Sequence, residues 1–200
     1  MGHDEWMPTS KDAPVRHLWL LRHGKAASDA PWGGSDRERP LTARGRRDAT
    51  ALGARLVDKQ PMPGLKGIPR LQLVICSAAV RTRQTADLIV KELGGHILFD
   101  SYRSLYQADA GDMLQYVRAI DGGVKSALVA GHNPSVYQLA WDLLDGQDDG
   151  DEQAASGDRA LLETHGFPTC ALAVLTLEAQ GWGAVAPECG RLSGLFKPPY

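Results

Sequence analysis

His17-Leu18-Trp19-Leu20-Leu21-Arg22-His23-Gly24 is the stretch that decides the fold. An apolar run this short, closed by Gly and charged residues, reads as a buried strand of an α/β sheet. A second run, Ser126-Ala127-Leu128-Val129-Ala130, is closed in the same way by Gly131-His132-Asn133-Pro134. Ligands of such sheets bind beyond the carboxyl ends of the strands. His23 and His132 are therefore both delivered to the edge where a site is built. Arg22 adds a permanently charged fork suited to phosphate.

Outward from these runs, strands and helices alternate. Pro40-Leu41-Thr42 opens a helix with Thr42 as its N-cap, and Ala49, Leu52, Gly53 and Leu56 follow at helical spacing. Leu71 to Cys76 is the next apolar strand. A helix runs from Val80 to Leu93 and is stopped by Gly94-Gly95. His96 to Phe99 is a short strand, Met113 to Ile120 a helix, and Ser135 to Leu144 the helix after the second histidine strand. Cys170 to Leu177 is β-rich, and Trp182 to Ala186 is expected to pair with it as a hairpin across Gln180-Gly181. Gln60 to Pro69 reads as a loop, Asp145 to Asp158 as an exposed acidic excursion, and Met1 to Pro14 as a loose tail. The alternation predicts an α/β three-layer sandwich with a mostly parallel central sheet, one domain over residues 15–200.

The 200 residues are enough for a substantial core, and 43% of them are apolar. A net charge of -2 argues against nucleic-acid binding through bulk positive charge. No apolar stretch approaches the ~18–20 residues of a membrane span, so no membrane partner is expected. Cys76, Cys170 and Cys189 have no metal-ligand spacing, and their scatter suits reduced thiols of a cytoplasmic protein.

A third element joins the histidines. Ser77-Ala78-Ala79-Val80-Arg81-Thr82-Arg83-Gln84-Thr85-Ala86 follows the 71–76 strand and begins a helix. Its first amides favour an anion at the carboxyl edge of the sheet, and Arg81 lies in the first turn, within reach of that anion. With Arg22-His23-Gly24 and Gly131-His132, this stretch resembles the histidine phosphatase superfamily, the phosphoglycerate mutase-like fold, from about His17 to Phe196. Arg22-His23-Gly24-Lys25-Ala26, Asp36-Arg37-Glu38-Arg39-Pro40-Leu41-Thr42, Leu105-Tyr106, Gly131-His132-Asn133-Pro134 and the strand entry Phe167-Pro168-Thr169 look most like its SixA-type phosphohistidine phosphatases. The resemblance implies that His23 attacks phosphorus and becomes a phosphohistidine. It also implies that Arg22, Arg81 and His132 bind the phosphoryl oxygens, that Arg39 completes the anion pocket, and that neither metal nor cofactor takes part. The residue types suit that chemistry. A neutral imidazole is a nucleophile, and phosphoryl transfer needs mainly positioning and charge stabilisation. Ser77 and Asn133, at strand ends, are candidates to bind phosphate or orient the imidazoles. Asp36 is placed to hold either Arg39 or the nearby loop by an ion pair, and Thr85 to pack beneath the site.

Other readings are weaker. His17, His96 and His165 read as structural or exposed, and Arg46, Arg47 and Arg83 as a solvated helix face. Lys25 faces either the anion or solvent, and Trp32 is either a lid contact or a surface anchor. A cysteine phosphatase loop needs five residues between Cys and Arg, whereas Cys76 and Arg81 are separated by the four from Ser77 to Val80. Cys76 is therefore expected to be a buried apolar residue. Lys25-Ala26 departs from the residues that follow Arg-His-Gly in the mutase and acid phosphatase branches. No carboxylate among Asp100, Asp109 and Asp112 matches a proton-donor motif. An alcohol leaving group needs such a donor, and a phosphoramidate depends on it less. The expected substrate is thus a protein phosphohistidine or another labile phosphate. A small-molecule phosphomonoesterase and a non-catalytic phosphate-binding module are the alternatives.

Overall fold

The computed structural model describes residues 15–57, 69–145 and 157–200. The expected N-terminal tail, most of the 60–69 loop and most of the acidic excursion lie outside the described residues. In chain order the main elements are β1 (Val15–Arg22), α1 (Ala43–Val57), β2 (Leu73–Ser77), α2 (Val80–Leu93), β3 (Leu98–Tyr102), α3 (Ala110–Arg118), β4 (Ser126–Gly131), α4 (Ser135–Leu143), α5 (Asp158–His165), β5 (Leu172–Glu178) and β6 (Gly190–Phe196).

The strands form one six-stranded sheet in the order β3-β2-β4-β1-β5-β6. Pairings among β3, β2, β4 and β1 are parallel, and β5 runs antiparallel to both β1 and β6. Period-2 alternation along β1 divides the core into two layers. Leu18 and Leu20 pack with Met113 and Val117 of α3, Val136, Leu139 and Leu143 of α4, and Leu162 of α5. Trp19 and Leu21 pack on the other face with Ala49 and Leu52 of α1 and Ala86 and Ile89 of α2. The result is the expected three-layer sandwich.

Handedness explains which helix lies where. The β1-α1-β2 and β2-α2-β3 crossovers step along the sheet in one direction, so α1 and α2 share a face. The β3-α3-β4 crossover steps back, and a right-handed connection then places α3 on the opposite face. Chain leaving β4 enters α4 on the α3 side, while chain leaving its neighbours β1 and β2 enters α1 and α2 on the other. A crevice therefore opens at the carboxyl end of β4, where His132 follows.

Local signals set most helix ends. Thr42 caps α1 as expected, its Oγ1 accepting from the Gly45 N–H at 3.0 Å. Gly45 has no room for a side chain, because a Cβ there would stand 2.2 Å from the Lys25 carbonyl. That close approach seats α1 directly against the chain leaving His23. α3 starts earlier than the 113–120 apolar face suggests, because Asp109 and Asp112 form a reciprocal capping box at its N-terminus. β3 lies at 98–102 instead of 96–99, on the sheet edge, where its side chains are mostly exposed and the apolar pattern is a poor guide.

The expected hairpin partner of β5 is wrong. Trp182–Ala184 is a short 3-10 turn, and β6 over Gly190–Phe196 pairs with β5 instead. The apolar character of the 182–185 stretch serves the core beneath α3. Trp182 is 1% exposed, and its indole N–H donates to the Val124 carbonyl at 2.7 Å. α5, within and beyond the end of the acidic stretch, was not expected; Leu162 seals it onto the core.

Candidate active site

His23 follows β1 in a fully bonded backbone. Its N–H donates to the Gly131 carbonyl at 3.2 Å, and its carbonyl accepts from Cys170 N–H at 3.0 Å. The Gly24 N–H donates to Thr85 Oγ1 at 2.9 Å, and that hydroxyl donates to the Arg81 carbonyl at 2.6 Å. Thr85, fully buried, thus ties the strand carrying His23 to the helix turn carrying Arg81. This is the supporting position that its spacing predicted.

The His23 ring has a defined tautomer. Nδ1 lies 2.8 Å from the Gly24 carbonyl, which can only accept, so Nδ1 carries the proton and Nε2 keeps its lone pair. Burial pushes its pKa down to about 4, and the positive fields of Arg81, Arg22 and Arg39 add to that, against the opposing pull of the Gly24 carbonyl. His132 lies tilted against it, ring centroids 5.1 Å apart and planes at 59°. Its pKa is pushed down to about 3, first by burial and then by His23 and Arg81. Both imidazoles are neutral at pH 7. Ser77 Oγ is 2.9 Å from His132 Nε2, a hydrogen bond between the end of β2 and that ring.

The arginines approach from different elements. Arg22 Nη1 donates to the Phe167 carbonyl at 2.7 Å, and Asn133 Nδ2 donates to the same oxygen at 3.0 Å. Asn133 therefore braces the loop before β5 and Arg22 instead of contacting an imidazole. Arg81, 5% exposed, is held by Asp36, with Nη1 on its carbonyl at 2.7 Å and Nη2 on its Oδ2 at 3.0 Å. Arg39 Nε and Nη2 both lie 2.6 Å from Asp36 Oδ1, and its Nη1 donates to the Ala27 carbonyl at 2.6 Å. The Nε–H groups of Arg22 and Arg81 are buried and have no acceptor within the protein.

Asp36 and Tyr106 do more than the spacing suggested. Tyr106 OH donates to Asp36 Oδ2 at 2.5 Å, and its ring stands edge-on to His132 with centroids 5.4 Å apart. The Arg81 guanidinium lies 5.7 Å from the same ring's centroid. The Tyr106 hydrogen bond, with help from Arg39 and Arg81, holds the Asp36 carboxyl down at about 2. One carboxylate thus aligns both arginines and a tyrosine. The sequence could supply the Asp36–Arg39 spacing, but nothing in it puts residue 106 or 81 against residue 36.

Other carboxylates play structural parts. Asp109 Oδ1 accepts from the Asp112 N–H at 2.8 Å, and Asp112 returns a bond at 3.3 Å, so both serve the cap of α3. Cys76 is fully buried and burial raises its thiol to about 12, which leaves it unreactive. Among the described residues, no group of three His, Cys, Asp or Glu side chains could hold a metal. Among them, too, no helix is long and apolar enough to cross a membrane.

The family model of the histidine phosphatase superfamily (branch 1) matches residues 18–117. The chain belongs to the histidine phosphatase superfamily. The sandwich described above is accordingly the phosphoglycerate mutase-like fold. Among similar proteins, the uncharacterized Rv1276c of Mycobacterium tuberculosis is 32% identical over 184 residues, 89% of this chain and 99% of that one. A protein of Nakamurella multipartitia assigned as the phosphohistidine phosphatase SixA superposes with a TM-score of 0.71 at 30% identity, covering 94% of this chain and 99% of the other. The protein histidine phosphatase SixA complexed with tungstate superposes with a TM-score of 0.63 at 26% identity, covering 91% and 97%. SixA-type members of the superfamily are thus among its structural neighbours.

Proposed function

We propose that this member of the superfamily is a phosphatase that passes a phosphoryl group through His23 and acts on protein phosphohistidine or another labile phosphoramidate. One observation carries the reading. A neutral imidazole with Nε2 as its unprotonated nitrogen lies in the fields of Arg22 and Arg81, whose buried Nε–H groups have no acceptor. Buried donors without partners are rare, and the forked donors of arginine match phosphoryl oxygens.

The chemistry follows from these groups. His23 Nε2 attacks phosphorus, and the bond from phosphorus to the leaving nitrogen breaks. The leaving imidazole departs with its electron pair and takes up a proton from water. Arg22 and Arg81 balance the charge on the equatorial oxygens, with His132 beside them. Water then attacks the phosphoryl group on His23, releasing inorganic phosphate and restoring the imidazole. The carboxylate nearest the arginines, Asp36, is ionised down to about pH 2 and bonded on both oxygens, so it is a poor proton donor. A phosphoramidate tolerates that lack better than an alkyl phosphate does.

A substrate panel tests the reading. It compares histidine-phosphorylated carrier proteins, a small phosphoramidate, a sugar phosphate and an aryl phosphate at equal concentration. Phosphoramidates are expected to be turned over at least tenfold faster than the sugar phosphate, about 1.4 kcal/mol in the barrier. His23→Ala is expected to abolish turnover while the protein stays folded by circular dichroism. Fastest turnover of the sugar phosphate would overturn the substrate assignment, and an active His23→Ala variant would overturn the nucleophile.

A further inference from the structure

We infer that Trp32 is an anchor for the protein that carries the phosphohistidine, on the rim of the pocket built around His23; the inference rests on the function proposed above. Trp32 is fully exposed, unlike Trp19 and Trp182, which are buried in the core. It also adopts a left-handed backbone conformation, φ 57° and ψ 27°, which a bulky residue rarely takes. The turn is closed by the Gly34 N–H donating to the Pro31 carbonyl at 3.0 Å. A large aromatic held outward in an unfavourable conformation gains nothing for this chain's own core. Such outliers cluster at functional surfaces.

The segment is fastened to the site. Ser35 and Glu38 form a capping box, and Asp36 between them binds Arg81, Arg39 and Tyr106. Trp32 is four residues from Asp36, so their Cα atoms are at most ~14 Å apart. A protein presenting a surface phosphohistidine to Arg81 therefore comes within reach of Trp32, whereas a small phosphoramidate in the pocket does not need it.

Charges of both signs lie in this segment. The carboxylates of this segment are engaged within the protein: Asp36 with the arginines, Glu38 with the Ser35 N–H at 2.7 Å, and Asp29 with Ser28 Oγ at 2.7 Å. Lys25 and Arg37 are exposed, and the Arg37 guanidinium lies 5.2 Å from the Tyr106 ring centroid. The surface that fits is apolar and adjacent to the phosphorylated histidine. Tryptophan is a preferred anchor at such interfaces.

The test measures Trp32→Ala and Trp32→Phe with two substrates, a small phosphoramidate and whichever purified histidine-phosphorylated carrier the wild type dephosphorylates fastest. The expected result for Trp32→Ala is a KM for the carrier raised about tenfold, with partial rescue by phenylalanine. Its kcat/KM for the small phosphoramidate should stay within twofold of wild type. Unchanged kinetics on the carrier would overturn the anchor. An equal loss on both substrates would also overturn it and assign the turn an internal role in placing Asp36. A wild type that hydrolyses the phosphoramidate but no carrier refutes the anchor and leaves a phosphatase. A wild type inactive on both refutes the proposed function and the anchor with it.

Discussion

Lowering the pH from 7.5 to 5.5 should leave His23 and His132 almost wholly neutral, and this separates the buried, arginine-ringed site from an ordinary imidazole. Free histidine titrates near 6.5, so at pH 5.5 only about a tenth of it is neutral. With its pKa pushed down to about 4, His23 remains about 97% neutral at that pH. The neutral form is thus about tenfold more abundant than exposure would allow. Burial dominates over the proton-holding Gly24 carbonyl, and three arginines act in the same direction as burial. The assay is NMR of the imidazole nitrogens of the ligand-free protein between pH 4 and 8, which avoids titration of the substrate's own phosphate. The same shift couples to folding. Between pH 6.5 and about 4 the unfolded chain binds protons that native His23 refuses, and His132 extends the window to about 3. Their stabilisation is complete above the unfolded value and is lost as pH falls through this window. At pH 5.5 the loss is about 1.4 kcal/mol for each histidine, or a few degrees in Tm. A double variant, His23→Gln with His132→Gln, should lack that part of the pH dependence. Imidazoles titrating at 6–6.5, or an identical pH slope in the double variant, would refute the reasoning.

Two further outcomes follow from the scaffold and the anion pocket. Thr85→Val leaves the buried Gly24 N–H without its acceptor, a loss of about 2 kcal/mol. Its Tm by calorimetry should fall about 4–8 °C, whereas Thr85→Ser should recover most of it; equal stability of valine and wild type would exclude the tie. Tungstate should inhibit turnover competitively, with Arg81→Ala weakening inhibition about 100-fold through loss of charged hydrogen bonds, and EDTA should leave turnover unchanged. Inhibition insensitive to Arg81, or activity lost in EDTA and restored by zinc or magnesium, would contradict the proposed metal-independent anion site.

Much of the fold was legible because its signals are local. β1 and β4 are continuous apolar runs, and α2 ends at Gly94 as its sequence predicts. Thr42 and the Gly pair act through nearest neighbours, so reading them needs no knowledge of the rest of the chain. Legibility failed where apolar character had two uses. Trp182 looks like a strand residue by type, yet it fills a cavity under α3, and the sheet takes the less apolar 190–196 stretch. β3 was misplaced because an edge strand exposes its side chains and loses the alternating pattern.

By itself, the sequence determined which residues reach the carboxyl edge. Arg22, His23, Ser77, Arg81 and His132 each stand at or just beyond a strand end, a relation carried by chain order and period alone. Only the tertiary structure decided how these groups are tuned. The Asp36–Arg81–Tyr106 junction joins residues 45 and 70 positions apart, and the His23 tautomer and the depressed pKa values of both imidazoles arise from burial and from charges on other elements. Solvent exclusion and electrostatic fields depend on what is near in space, and chain position does not encode that distance.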